Sequence, residues 1–327
     1  MSYRILPRRI AVTILAAAAA ASAGPSWAQA WPSKPIRFIV PFTAGSGTDT
    51  IGRTVGERLS KALGQPVIIE NKPGAGGTIG ASQVAKSPGD GYVFLVHSAG
   101  HAANPAIYTK VNYDTINDFA GISMLATLPN VLVVPSSSPY RSVEDLVKDA
   151  RAQPGKLSYG SAGNGSATHL NAEKFRASAR FDAMHVPYKG TPEALTDTAS
   201  GRIDFFFAPL VSALSMIKDK RLTPLAVGSA KRSEQMPDVP TTIEAGVPNS
   251  DFNFWIGLLA PANTPPDIVQ RMNSEVQKIL KDPGVKSRFA SLGAEPQPME
   301  SAQFNAFIKS EVASFASLVK ASNIKAN

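Results

Sequence analysis

The stretch IVPFTAGSGTDTIGRTVGERL, residues 39–59, decides how this chain folds. Its first residues are apolar and β-prone, the mark of a buried strand. A turn of small residues follows. Ile51, Val55 and Leu59 then recur four apart, which places them on one face of a helix. Strand, glycine turn and helix together open a βαβ unit. Loops of this shape hold phosphates in nucleotide-binding proteins, because small residues let a ligand approach free N–H groups at the positive end of a helix dipole. The nucleotide patterns fail here: no Gly-Lys-Ser/Thr follows, and after Gly45-x-Gly47 the next glycine, Gly52, falls out of step. The loop Phe42, Thr43, Ala44, Gly45, Ser46, Gly47, Thr48, Asp49 therefore reads in two ways. It is a site for some other anion, or a tight turn into a helix capped by Thr48 or Asp49.

The same rhythm continues outward. Strands are expected over 36–40, 67–70 and 92–96, with helices over 48–63 and 78–85. A second series of strands is expected over 131–134, 157–160, 182–186, 203–207 and 225–227. Ser142 and Asp145, three apart, form a capping-box variant at a helix start. A strand over 254–259 and amphipathic helices over 265–280 and 301–322 close the chain. Alternating strands and helices predict parallel sheets covered by helices on both faces. The expected fold class is α/β, two doubly wound domains with a hinged cleft between them. The expected boundaries are 31–130 plus 253–327 for the first domain and 131–252 for the second.

Residues 1–30 stand apart. Arg4, Arg8 and Arg9 precede an uncharged run over 10–23, Gly24 and Pro25 break it, and Ala28-Gln29-Ala30 supplies a small-x-small cleavage pattern. This is the layout of a secretory signal peptide cleaved near Ala30, with a run too short to span a bilayer. The mature chain is expected in the periplasm. Losing the three leader arginines takes the basic count from 33 to 30 against 25 acids, and the charges are scattered. Nucleic-acid binding wants a basic cluster with interleaved aromatics, which is missing. Zero cysteines exclude disulfides, zinc–thiolate sites and cysteine nucleophiles. A chain with 43% hydrophobic residues builds a core large enough to stand without staples.

In open α/β sheets ligands sit at the carboxyl ends of strands, so the loops leaving strands carry the chemistry. Besides the first loop, Ser98, Ala99, Gly100 and His101 follow one strand. Ser161, Ala162, Gly163, Asn164, Gly165, Ser166, Ala167, Thr168 and His169 follow another. Two anion-friendly helix starts in two domains suggest a cleft that closes on a small anionic solute. Tyr188 and Lys189 leave a strand, and either face a ligand or face water. Ala208 and Pro209 end the buried run after Phe207. His97 and His101 lack a third partner, so no metal is expected, and no cofactor. Gly-x-Ser-x-Gly is absent, which speaks against a hydrolase. A serine beside His101 or His169 nonetheless keeps a periplasmic serine hydrolase open as an alternative, with a ligand-sensing input module for a membrane signalling partner as a third class. Thr168→Val is expected to weaken ligand binding and spare the fold.

Six stretches together resemble one family: VPFTAGSGTD (40–49), ENKPGAGG (70–77), ANP (103–105), VPYKG (186–190), PDVPT (237–241) and GLLAPA (257–262). The chain resembles the periplasmic receptors of tripartite tricarboxylate transporters, also called Bug-type receptors, over essentially its whole mature length. The resemblance implies a non-catalytic monomer that captures a small organic acid by cleft closure and passes it, in a transient encounter, to membrane transporter subunits. It implies that residues 42–49 hold one end of the ligand, that residues 161–169 grip its carboxylate, and that Ser98–His101 and Ala208–Pro209 complete the wall. Two departures stand out. The first loop often reads Pro-Gly-Gly where this chain has Ala44-Gly45-Ser46, and many members carry Asp-Asn where it has Ala208-Pro209. Losing that acid points to a carboxylate without an amino group, dicarboxylic or aromatic.

Overall fold

The computed structural model describes residues 31–322; residues 1–30, where the sequence leads one to expect a leader, lie outside the described residues. In chain order the elements are β1 (Ile36–Val40), α1 (Gly47–Leu63), β2 (Val67–Asn71), α2 (Thr78–Ala85), β3 (Val93–Ser98), α3 (Gly100–Ile107), β4 (Phe119–Leu128) and β5 (Asn130–Pro135). They continue with α4 (Val143–Ala152), β6 (Ser158–Ser161), α5 (Ala167–Ala179), β7 (Met184–Pro187), α6 (Thr191–Ala199), β8 (Phe205–Pro209), α7 (Leu210–Lys218) and β9 (Leu222–Val227). The last elements are β10 (Phe254–Pro261), α8 (Pro266–Lys281), α9 (Pro283–Ser291), β11 (Glu295–Pro296) and α10 (Ser301–Ser322).

The strands form two sheets. A six-stranded sheet runs β11-β4-β10-β3-β1-β2, and a five-stranded sheet runs β7-β6-β8-β5-β9. The fold is α/β, but neither sheet is purely parallel as the sequence rhythm predicts. β10 pairs antiparallel with both β3 and β4, and β5 pairs antiparallel with both β8 and β9. β5 and β10 are the strands that enter each sheet as the chain crosses from the other, so they start where their neighbours end. One crossover is the single residue Pro129 between β4 and β5. On the return, Gly228 ties both paths together: its N–H donates to Asn130 O at 2.7 Å, and its carbonyl accepts the Phe252 N–H at 2.6 Å.

The cores explain the layers. In the five-stranded sheet Leu132, Val134, Phe205 and Phe207 face one buried cluster, while Val131, Val133, Phe206 and Ala208 face another. The two-residue period of a strand thus splits the apolar run between helices on both faces. The six-stranded sheet anchors one larger cluster, centred on Phe38, Phe94, Trp255 and Phe304. Ala167 and Leu170 of α5 pack into that cluster although α5 follows β6 of the other sheet, so the two bodies share buried surface here.

Candidate functional site

The carboxyl ends of β1, β3, β6 and β8 converge on one cavity. Phe42 comes from the loop after β1, Ser98 ends β3, Ala162 follows β6 and Pro209 ends β8. Phe254, the first residue of the antiparallel β10, closes the wall. Three helices also begin here. Ser46, Gly47 and Thr48 open α1; Ser166, Ala167 and Thr168 open α5; Thr191 opens α6. In this conformation the space left between them is about 10 Å³, room for roughly one water.

The helix starts explain the local chemistry. Ser46, not Thr48 or Asp49, is the N-cap of α1: its Oγ accepts the Asp49 N–H. Ser166 caps α5 in the same way, accepting the His169 N–H. Gly190 precedes α6 and offers no side-chain cap. Ser166 Oγ and Thr168 Oγ1 lie 3.1 Å apart, and Thr168 Oγ1 accepts the Ala162 N–H at 2.9 Å. By contrast Thr48, Ser98 and Thr191, each almost fully buried, have side-chain hydroxyls that bond no protein group among the described residues. No lining residue carries a charge. The cavity therefore presents hydroxyl donors and three helix N-termini between the apolar faces of Phe42, Pro209 and Phe254, a field that favours an anion and opposes a cation.

Of the residues named from sequence, Phe42, Ser46, Gly47, Thr48, Ser98, Ala162, Ser166, Ala167, Thr168 and Pro209 line this cavity. The others do not. Asp49 is a clamp for its own loop: it accepts from Gly45 N, Arg53 Nε and Asn71 Nδ2, each at 2.9 Å. Burial pushes its carboxyl up, but those bonds outweigh it and hold the group below its ordinary value. Ala44 and Gly45 sit at the exposed rim. His101 is sealed in the first body between Tyr113, stacked at 6.0 Å, and Phe119, edge-on at 4.8 Å. Ala99 and Ala208 are wholly buried away from the cavity. His169 accepts the Gly165 N–H and stacks on His185 at 4.0 Å. Ser161 pairs with His185 Nε2 at 2.6 Å and accepts the Gly163 N–H, and no part of it is exposed. That serine–histidine pair differs from the pairing with His101 or His169 considered from sequence, and it lies outside the cavity. Tyr188 and Gly163 instead wall an outer crevice of about 510 Å³ with Ala75, Gly76, Tyr108 and Asn164. Thr191 and Phe254 were not anticipated as lining. Among the described residues no three His, Asp or Glu side chains converge as a metal site would require.

The model of the tripartite tricarboxylate transporter family receptor matches residues 51–324. The chain belongs to the tripartite tricarboxylate transporter receptor family. This receptor is 39% identical to a "UPF0065 protein in tcbD-tcbE intergenic region" of Pseudomonas sp. (strain P51), over 88% of this chain and 85% of that one. It is 32% identical to Protein BugT of Bordetella pertussis, covering 98% of the receptor and 99% of BugT. Among solved structures, R. palustris Rpa4515 with adipate superposes with a TM-score of 0.87 at 36% identity, over 90% of this chain and 99% of that one. No helix among the described residues of the receptor is long and apolar enough to cross a membrane.

Proposed function

We propose that the receptor works in the periplasm, released by cleavage near Ala30, and closes on a small organic carboxylate that carries no ammonium group. The two sheets are the cores of its two domains, 31–130 plus 253–327 and 131–252, and the ligand lies between them. The bound acid is handed to membrane transporter subunits in a transient encounter, with no chemistry performed on it. One observation supports the ligand class above all: a cavity of buried hydroxyls and helix N-termini with no charged side chain in its lining. A carboxylate finds charge-assisted bonds there, each contributing about 1.5–3 kcal/mol, and a few of these support micromolar binding at roughly −8 kcal/mol. An ammonium group finds no carboxylate partner and three repelling dipoles. The relative that carries adipate in its structure fits a ligand of this class. A six-carbon acid exceeds the 10 Å³ left in this conformation, so loading requires the two bodies to part.

A thermal-shift screen tests this. Adipate, succinate and benzoate are set against aspartate and lysine. An acceptor-only acid at a hundred times its dissociation constant is expected to add about 2.7 kcal/mol of stability. Aspartate responding while the plain acids do not would overturn the ligand class, and no response from any acid would overturn the receptor reading.

A further inference from the structure

Between the two bodies, at the mouth of the cleft, a hydrogen bond outside the cavity reaches a loop that lines it. We infer that Tyr108 is a positioning residue: its hydroxyl reaches from the first body to the Asn164 carbonyl of the second and latches the ligand-gripping loop shut. This rests on the receptor reading above.

Tyr108 ends α3, with its ring packed against the first core, and its hydroxyl donates to Asn164 O at 2.6 Å across 56 residues of sequence. Asn164 stands between Gly163 at φ +111° and Gly165 at φ +75°. Both values lie where side chains are strained, so the two glycines let the peptide between them bulge out and offer its oxygen to the other body. Gly76, at φ +59°, meets the same point: a Cβ there would fall 1.9 Å from Asn164 O and 2.9 Å from Tyr108 Oη. A glycine, a phenol and a carbonyl from three loops therefore close on one spot. Burial pushes the Tyr108 phenol up to about 12, so it keeps its proton as a donor. The latched loop continues on one side to Ala162 and on the other to Ser166 and Thr168, all in the cavity wall. Tyr108 itself does not line that cavity. Two further bonds cross the gap, Thr43 Oγ1 to Glu193 Oε2 at 3.0 Å and Ser212 Oγ to Gly45 O at 3.1 Å. Both lie at exposed rims, where water competes for the same groups.

The test uses Tyr108→Phe and Gly76→Ala in the full mature chain, with adipate, succinate and benzoate as probes. Tyr108→Phe is expected to raise the dissociation constant roughly five-fold, the worth of one net hydrogen bond. The whole change should appear in the dissociation rate, with the association rate and the ligand-free melting temperature unmoved. A structural role alone would lower that melting temperature. Gly76→Ala is expected to hold the bodies apart, so that added probe no longer shrinks the radius of gyration in solution scattering. An unchanged dissociation rate in Tyr108→Phe, or normal compaction in Gly76→Ala, overturns the latch. If the unmodified protein takes none of the three probes, the receptor reading fails separately. The latch then stands or falls on the ligand-free chain, where spin labels on the two bodies must report a minor closed population that is roughly five-fold smaller in Tyr108→Phe, and an equal population refutes it.

Discussion

Thr168 Oγ1 accepts the Ala162 N–H at 2.9 Å, and that bond changes which substitution tests the cavity. Thr168→Val leaves a buried donor unpaired, so it is expected to cost about 1–3 kcal/mol of folding stability as well as affinity. The sequence-based expectation that the fold would be spared is corrected by that contact. Thr191→Val is the cleaner probe, because the Thr191 hydroxyl has no protein partner among the described residues to lose. It is expected to weaken acid binding with the urea midpoint unmoved; a matching loss of midpoint would mean the hydroxyl serves the fold instead. Sequence made Ser98, Ser166 and Thr168 legible because small polar residues cluster after strands. It missed Thr191, although a threonine followed by a proline and an acid at a helix start was the available signal. Phe254 was missed because only an antiparallel strand puts its first residue at the carboxyl ends of its neighbours.

Helix ends were easier to read than their interiors. Ser142 and Asp145 form the full reciprocal capping box, with Ser142 Oγ accepting Asp145 N–H and Asp145 Oδ2 accepting Ser142 N–H. Ser142→Ala is expected to lower stability by about 1 kcal/mol in denaturant titration and to leave ligand affinity alone. An unchanged midpoint would show that Asp145 at the helix start suffices. α3 escaped the sequence reading because Gly100 and Pro105 both argue against a helix. The fold tolerates Pro105 because the carbonyl it deprives, His101 O, has Thr115 Oγ1 at 3.5 Å. β4 escaped for a different reason. Its ten residues, FAGISMLATL, are almost wholly buried and show no alternation, and they mix strand formers with Ala, Met and Leu. A strand buried on both faces carries no two-residue period to find.

The α/β class, now seen as two sheets with helices, was visible in the alternation of elements, whereas strand direction was not, since nothing local distinguishes β5 or β10 from a parallel neighbour. The histidines act on the molecule as a whole. Burial holds His97 and His169 down at about 4, and burial with the His169 neighbour holds His185 at about 3. His101 lies well below its ordinary value for the same first reason. Between pH 6.5 and about 4 the unfolded chain therefore binds protons that the folded chain refuses. Stability is full above 6.5 and falls as pH drops, with a slope approaching ~1.4 kcal/mol per pH unit for each such histidine. Urea midpoints at pH 7.5 and 5 check this; equal midpoints would refute it. Strand order has a further consequence, for assembly. Every strand of the five-stranded sheet lies within residues 130–227, but β3 and β4 touch only through β10, which starts at Phe254. A chain emerging from a channel as far as residue 227 holds one finished sheet and one still split, with two apolar strands awaiting their partner. Pulsed hydrogen exchange should find β6 and β8 protected before β4, and simultaneous protection would refute that sequence of events. The gap that β10 fills is where a holding chaperone would be needed while the chain is still incomplete.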